Sequence, residues 1–419
     1  MKDKRSTTGL LRRFAAAALL LTASANGPQA YSADLIQLPA PPNTSPPMGF
    51  VTGVGGSLGP VFLSGELVQG FRFTDNLQQD TTEVPGTEYI PSVSLTGVAT
   101  QAGATFGLTG TYSGYYPIDS GLPISNDTET LNGFAIVPLT QSTSLNVNLG
   151  YSDTFVETFT PGQFHGEFRD DIRNYTASAA LSHQTQQAFY TATIEHDEFI
   201  TDLTAIVGPL TTHSDMDRKE DRIAAQGGII GQNGHRYYLS AEANRFAYKA
   251  AELQHHDSTA LKLGGGVSGT FGDFTIHGDV LGFHKSFRRN LPDVIDVEAA
   301  LSLQWDPRDT TTLMAVFGRV FEETNVVSST GIEANQVYLS WRERPTDKLY
   351  VQGTVMYSVF DIRQLDTVTD GWTVYFDAGY AFTPHVYAKI AASHAHQRTN
   401  AAGIDFSATL VEVTTHFTF

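Results

Sequence analysis

Along residues 294–305, Ile295, Val297, Ala299, Leu301, Leu303 and Trp305 alternate with Asp296, Glu298, Ala300, Ser302 and Gln304. The same period of two sets Leu145, Val147, Leu149 and Tyr151 against Ser144, Asn146, Asn148 and Gly150. It sets Tyr237, Leu239, Ala241 and Ala243 against Arg236, Tyr238, Ser240, Glu242 and Asn244, and Trp372, Val374, Phe376, Ala378 and Tyr380 against Thr373, Tyr375, Asp377 and Gly379. Side chains two residues apart share one face of a β-strand, so each set predicts a strand with one apolar and one polar face. An amphipathic helix would repeat every 3.6 residues, and no long stretch does so. From about Val61 to Phe419 the chain is a succession of such segments, which predicts an all-β architecture.

The connections alternate in kind. Short ones are predicted at Thr100-Gln101, Leu139 to Ser142, Gln184 to Gln186, Gln232-Asn233-Gly234, Gly272-Asp273, Asp306 to Asp309, Arg344 to Asp347 and Thr383-Pro384-His385. Asn and Gly tolerate positive φ and Pro presets a turn, which is hairpin chemistry. Longer polar connections are predicted at residues 75–88, 115–128, 157–168, 200–217 and 361–370. Counting between them gives about eighteen strands. An even strand number with short turns on one side and long loops on the other predicts a transmembrane antiparallel up-and-down β-barrel. Closure is required because a strand in lipid must pair every backbone group, and an open edge cannot. A secreted β-sandwich or propeller, the rival architecture, would bury apolar surface on both faces of some strands.

The last strand sets Val411, Val413, Thr415, Phe417 and Phe419 against Glu412, Thr414 and His416. A terminal Phe419 with Phe417 two residues before it is similar to the assembly signal of bacterial outer-membrane barrels. It implies recognition by the barrel assembly machinery, with Phe419 at the periplasmic end, short turns in the periplasm and long loops outside.

Composition fits this reading. Only 17% of the 419 residues are charged, mean hydropathy is -0.16, and no apolar run of about 20 residues follows Ala25. Met1 to Ala25 reads as a cleaved secretory signal, with Lys2, Lys4, Arg5, Arg12 and Arg13 before the apolar core Phe14 to Thr22 and the small residues Ala23-Ser24-Ala25. Export places the chain in the outer membrane of a Gram-negative bacterium, among lipid and lipopolysaccharide. Cleavage takes the formal charge from -18 to -22, since five bases and one acid leave with the signal. An acidic chain disfavours nucleic acid as a partner. With no Cys, stability rests on backbone pairing and burial. Residues 26–57, which include Pro28, Pro39, Pro41, Pro42, Pro46 and Pro47, read as a Pro-rich periplasmic tail, and residues 58–419 as the barrel.

No motif predicts catalysis, a metal or a cofactor. Gly55-Gly56-Ser57-Leu58-Gly59 matches G-x-S-x-G, but a nucleophile elbow needs a strand before it and a helix after it. His255-His256 and His394-Ala395-His396 lack a third ligand and read as solvated, as do the acidic clusters at Asp170-Asp171 and Asp215 to Asp221. The chain therefore reads as a channel and not an enzyme, with an outer-membrane hydrolase as a third possibility that would need a polar cluster at the extracellular rim. If the apolar faces meet lipid, the pore lining comprises Asn146, Asn148, Arg236, Tyr238, Glu242, Asp296, Glu298, Gln336, Tyr338, Gln352, Tyr375, Asp377 and Glu412. Amides, hydroxyls and aromatic faces suit sugars, and about eighteen strands leave an aqueous channel. A uniformly negative lumen would repel an anionic cargo.

Roughly from Gly264 to Phe419, the chain resembles the family called putative β-barrel porin 2. The resemblance lies in LQWDPRDTTTL (303–313), GRVFEETN (318–325) and DGWTVYFDAGYAFTPHVYAKIAASHAHQRTN (370–400), with Trp305, Pro307, Thr310 to Thr312 and Glu322-Glu323-Thr324 as its marks. Members are often encoded beside exopolysaccharide synthesis and export genes. The resemblance implies a polysaccharide conduit with a periplasmic polysaccharide export protein as docking partner, and brings no catalytic residues. A diffusion porin for small neutral or cationic solutes is the alternative.

Overall fold

The computed structural model describes residues 55–58, 60–75, 85–118, 126–156, 170–202, 217–323, 329–400 and 405–419. The signal read at residues 1–25 and the tail up to residue 54 lie outside the described residues. A short strand β1 (Gly56–Leu58) forms a hairpin with β2 (Val61–Thr74). Then follow β3 (Gly86–Tyr89), β4 (Ser92–Gln101), β5 (Ala104–Pro117), β6 (Asn126–Pro138), β7 (Thr143–Val156), β8 (Asp170–Gln184) and β9 (Ala188–Asp202). The wall continues through β10 (Arg218–Ile230), β11 (Arg236–Tyr248), β12 (Ser258–Phe271), β13 (Phe274–Phe287), β14 (Val294–Arg308) and β15 (Thr311–Glu322). It ends with β16 (Ile332–Thr346), β17 (Leu349–Ile362), β18 (Thr367–Thr383), β19 (Val386–Thr399) and β20 (Phe406–Thr418).

Every pairing is antiparallel, and β20 pairs with β2 from Glu66↔Thr418 to Thr74↔Leu410, which closes the sheet. Both β3 and β4 pair with β2, end to end, so they are one wall strand interrupted at Ile90-Pro91. Pro91 has no N–H to give a ladder, and the strand breaks there. Counting those two as one, and leaving aside β1, the barrel has 18 strands.

Eight connections of two to five residues join the strands at one end and nine others join them at the opposite end, as alternation along an up-and-down barrel requires. The tightest turns follow from backbone chemistry. Ala102 and Gly103 have φ of 51° and 82°, which matches the twist of the flanking strands. Strand β4 therefore includes Thr100-Gln101, and the turn is Ala102-Gly103. Pro307 and Pro345 sit inside register shifts, Trp305/Arg308 and Glu343/Thr346, and not in the turns themselves. A bulge tolerates a residue that cannot donate to the ladder. The long loop expected at 361–370 is absent. β17 runs to Ile362, β18 starts at Thr367, and Gln364 and Asp366 turn the chain with φ of 69° and 47°.

The apolar faces point outward, with Ile295 80% exposed, Leu239 75% and Ile223 64%. Aromatics gather at two levels. Phe274 stacks on Trp305 at 5.7 Å, and they lie with Trp341, Tyr380 and Phe417 toward the short turns. Trp372, Tyr357, Tyr116 and the Tyr151–Tyr175 pair lie toward the long connections. Tyr380 and Trp372 stand on one face of β18; strand rise and a tilt of about 40° put them roughly 20 Å apart in height, near the thickness of an apolar membrane band.

The seam is completed at the terminus. Phe419 N–H donates to the Gly65 carbonyl at 2.9 Å, and Gly65 N–H to the Phe419 carbonyl at 2.7 Å. The Phe419 ring lies over Gly65, where an added Cβ would come within 2.6 Å of it.

Candidate functional site

The concave face of the wall is identified by bonds that skip a strand, because only there do alternate strands converge. Lys262 on β12 reaches Glu298 on β14 at 2.8 Å. The Tyr238 hydroxyl on β11 donates to Asp279 on β13 at 2.5 Å, and Tyr387 on β19 to Glu66 on β2 at 3.0 Å. All thirteen residues expected on the polar face stand on this inner parity, opposite the exposed apolar side chains. They fall into three sectors.

The first sector, β4 to β8, carries no charged inner-face group among the described side chains. It is a band of hydroxyls and amides. Thr96 and Thr109 share a hydrogen bond of 3.0 Å, Thr111 donates to Ser94 at 3.2 Å and Ser113 to Ser92 at 2.8 Å. Farther round, Asn148 donates to Ser178 at 3.3 Å and Asn174 to Thr176 at 3.3 Å. Asn146 is buried beside them, and a recess of about 300 Å³ opens by Asn132, Phe134, Asn148 and Asn174. Small β-branched and amide side chains at every second position build both the strand and this wettable surface.

The second sector, β9 to β14, is ionic. Lys262 lies between Glu298 at 2.8 Å and Glu242 at 3.5 Å, and Arg222 between Glu195 and Glu242 at 3.8 Å each. Arg236 reaches Gln184 at 2.8 Å and lies over the Phe189 ring. Lys285, 2% exposed, pairs with Glu323 and sits against the rings of Phe246, Phe287 and Phe321. Asp296 pairs with Arg319 at 2.8 Å and with Arg363.

The third sector, β16 to β20, is aromatic and hydrogen-bonded. Tyr350 donates to Asp377 at 2.9 Å, Arg342 to Gln352 at 2.8 Å, and Tyr387 stacks on His416 at 4.2 Å. Gln336, Tyr338 and Tyr375 share this face, and Glu412 lies 3.9 Å from both Arg72 and Lys389. The lumen is therefore not uniformly negative, since many of its acids face a base. The expected lining left out Arg222, Lys262, Lys285, Tyr350 and Tyr387, of which only Lys262, opposite Glu242, and Tyr350, two positions from Gln352, adjoin a residue it contained.

At the rim, Lys249 joins Glu198 at 3.0 Å and Asp217 at 3.2 Å; its hydrogen bond to Glu198 leads the contacts that raise its pKa above the ordinary value. Asp217 and Asp221 are thus not free loop acids, since Asp221 meets His196 at 2.7 Å; Asp215 lies outside the described residues. Of the histidines read as solvated, His256 is 1% exposed in a short 3₁₀ turn, Ala251–His256, with its ring 5.7 Å from Tyr248. His394 and His396 face outward around Trp372. Gly56 to Leu58 pair with β2, and β2 follows them in place of a helix; Gly59 lies outside the described residues. Among the described residues, no group of three His, Cys, Asp or Glu is placed to hold a metal.

One rim cluster has hydrolase-like composition. Ser286 lies 3.1 Å from Asp293 and 3.5 Å from His284, and His284 lies 3.3 Å from Asp293. Yet His284 Nε2 faces both partners, and Ser286 donates to the acid. In a working triad the acid holds Nδ1 and leaves Nε2 for the serine.

A closed 18-strand barrel with an apolar belt outside and a polar lumen is an outer-membrane channel of the porin kind. The family model for "Putative beta-barrel porin 2" matches residues 51–419, and the chain belongs to that family. A search of curated proteins finds no match. Among solved structures, the chain is similar to the outer membrane protein opdK of Pseudomonas aeruginosa, at 10% identity and a TM-score of 0.50, covering 85% of this chain and 99% of that one. The same protein solved with vanillate gives 11% identity, a TM-score of 0.50 and coverage of 85% and 99%. OccK2 (OpdF) of Pseudomonas aeruginosa follows at 11% identity and a TM-score of 0.49, with 86% and 98% covered. At these identities the likeness is one of fold.

Proposed function

We propose that this barrel conducts an exopolysaccharide across the outer membrane, receiving it from a periplasmic polysaccharide export protein. The observation that carries the reading is the hydroxyl and amide wall of β4 to β8, uncharged among the described side chains, which gives a neutral polymer exchangeable hydrogen bonds. The half-buried ring of Tyr375 adds a stacking surface for sugar rings, while Tyr338 and Tyr350 are buried in the wall behind it. On this reading the thirteen inner-face residues line the path of the cargo, the signal at residues 1–25 is removed on export, and the protein performs no chemistry of its own.

Deleting the gene is expected to abolish surface polymer while leaving uptake of small solutes at the parental rate. Retained polymer with slowed uptake would overturn the reading and support a diffusion porin for small neutral or cationic solutes, which the ionic sector of β9 to β14 favours.

Phe417 and Phe419 complete the proposal as the signal read by the assembly machinery. Deleting Phe419 removes two backbone bonds at the seam, about 1–3 kcal/mol of local pairing. The folded, heat-modifiable fraction on unheated gels should fall, and an unchanged fraction would show that the terminal residue is dispensable.

A further inference from the structure

The ladder between β14 and β15 ends at Ala299↔Arg319. Beyond it β14 stays paired with β13 up to Lys285↔Val294, while β15 stays paired with β16 up to Glu322↔Ile332. The two sheets part there, and the β15–β16 end leans over the inner face of β14. Three contacts establish the lean. Arg319 Nε donates to the Val297 carbonyl at 3.1 Å, Phe321 N–H to the inward carboxylate of Glu298 at 3.3 Å, and the Phe321 ring meets inward Phe283 at 5.3 Å. Arg319 and Phe321 have lipid-facing parity, so a continued ladder would have turned them out. Glu323 then reaches Lys285, two strands away, and accepts from the Tyr248 hydroxyl, four strands away, at 2.8 Å.

This inward end closes over a recess of about 310 Å³ bordered by seven acidic and three basic residues, of which Asp221 turns its carboxylate outward to His196. Arg218, Arg222 and Lys262 are already engaged with wall acids. Glu322 has no cationic partner among the described residues, and it borders the recess.

We propose that the inward end of β15 forms the charge filter of the channel, and that Glu322 is the specificity-determining residue that makes it prefer cations. This rests on the channel reading and holds for either cargo. The filter passes small cations and excludes free anions, so secreted polymer would have to be neutral or present its charge already compensated. The decisive experiment is the reversal potential of purified protein in planar bilayers under a KCl gradient. At about pH 9, where a buried and unpartnered carboxyl such as Glu322 is ionised, wild type should be cation-selective. Glu322→Gln should then lower the cation-to-anion permeability ratio about sevenfold, since one unit charge across about 7 Å of water acts on cation and anion with opposite sign. Glu322→Lys should lower it further. An unchanged ratio in channels that still conduct overturns the filter, whereas silence of the wild type overturns the channel reading instead. Hexaamminecobalt(III) should also block the wild-type potassium current, a measurement that needs no variant, and lack of block counts against the filter.

Discussion

Arginine in place of Phe376 is expected to lower the unfolding free energy of the barrel in phospholipid vesicles by about 2–4 kcal/mol. Phe376 is 45% exposed on the outer face of β18, midway between Trp372 and Tyr380, which places it near the centre of the apolar belt. Its cross-strand neighbours are Gly353 and Ala392, so no polar group stands beside it to receive a guanidinium. The charge must either remain in hydrocarbon or pull water and headgroups inward, and both cost free energy. The control is three residues away. Thr373 lies on the inner face of the same strand, so Thr373→Arg should cost less than about 1 kcal/mol, the ordinary range for a solvated substitution. Urea titration followed by tryptophan fluorescence measures both. Equal losses at the two positions would show that the two faces do not meet different solvents.

That contrast marks how much could be read from the sequence. Parity is a local property: Trp372, Phe376 and Tyr380 announce a shared face from spacing alone, and strands, closure and inner-face parity follow from the same count. Turns were legible at Gly234 and Gly272, which adopt positive φ, but not at Gly103 or Asn290, which adopt it too. The stretch 361–370 looked like a loop because it is polar, but its polarity belongs to a four-residue turn flanked by inward threonines, Thr367 and Thr369. What sequence could not supply was register. Lys262 and Glu298 are 36 positions apart, and they meet only because each strand slides to a particular offset against its neighbour. The lean of β15 is illegible for the same reason, since alternation continues through Phe321 while the wall beside it has already parted.

Lys262→Met should destabilise the barrel by about 3 kcal/mol, at the lower end of the loss expected when one partner of a buried ion pair is removed. The reason lies in what remains. Glu298 is 2% exposed and Glu242 5%, and Lys262 is in contact with both. After the substitution Glu242 still has Arg222 at 3.8 Å, and Glu298 still accepts the Phe321 N–H, which keeps the loss from the top of the range. Neutralising the acid as well should restore most of the stability, because Lys262→Met with Glu298→Leu leaves two apolar side chains and only one orphaned N–H. The double variant should therefore be more stable than the single one, a non-additivity that simple loss of packing cannot produce. It should also free the β15 end, which has lost the carboxylate holding Phe321, and single-channel current should become noisier although its mean selectivity is kept by Glu322. A single variant within about 0.5 kcal/mol of wild type would mean that lumen water already hydrates Glu298 and that the ionic sector contributes charge to the channel but little to its stability.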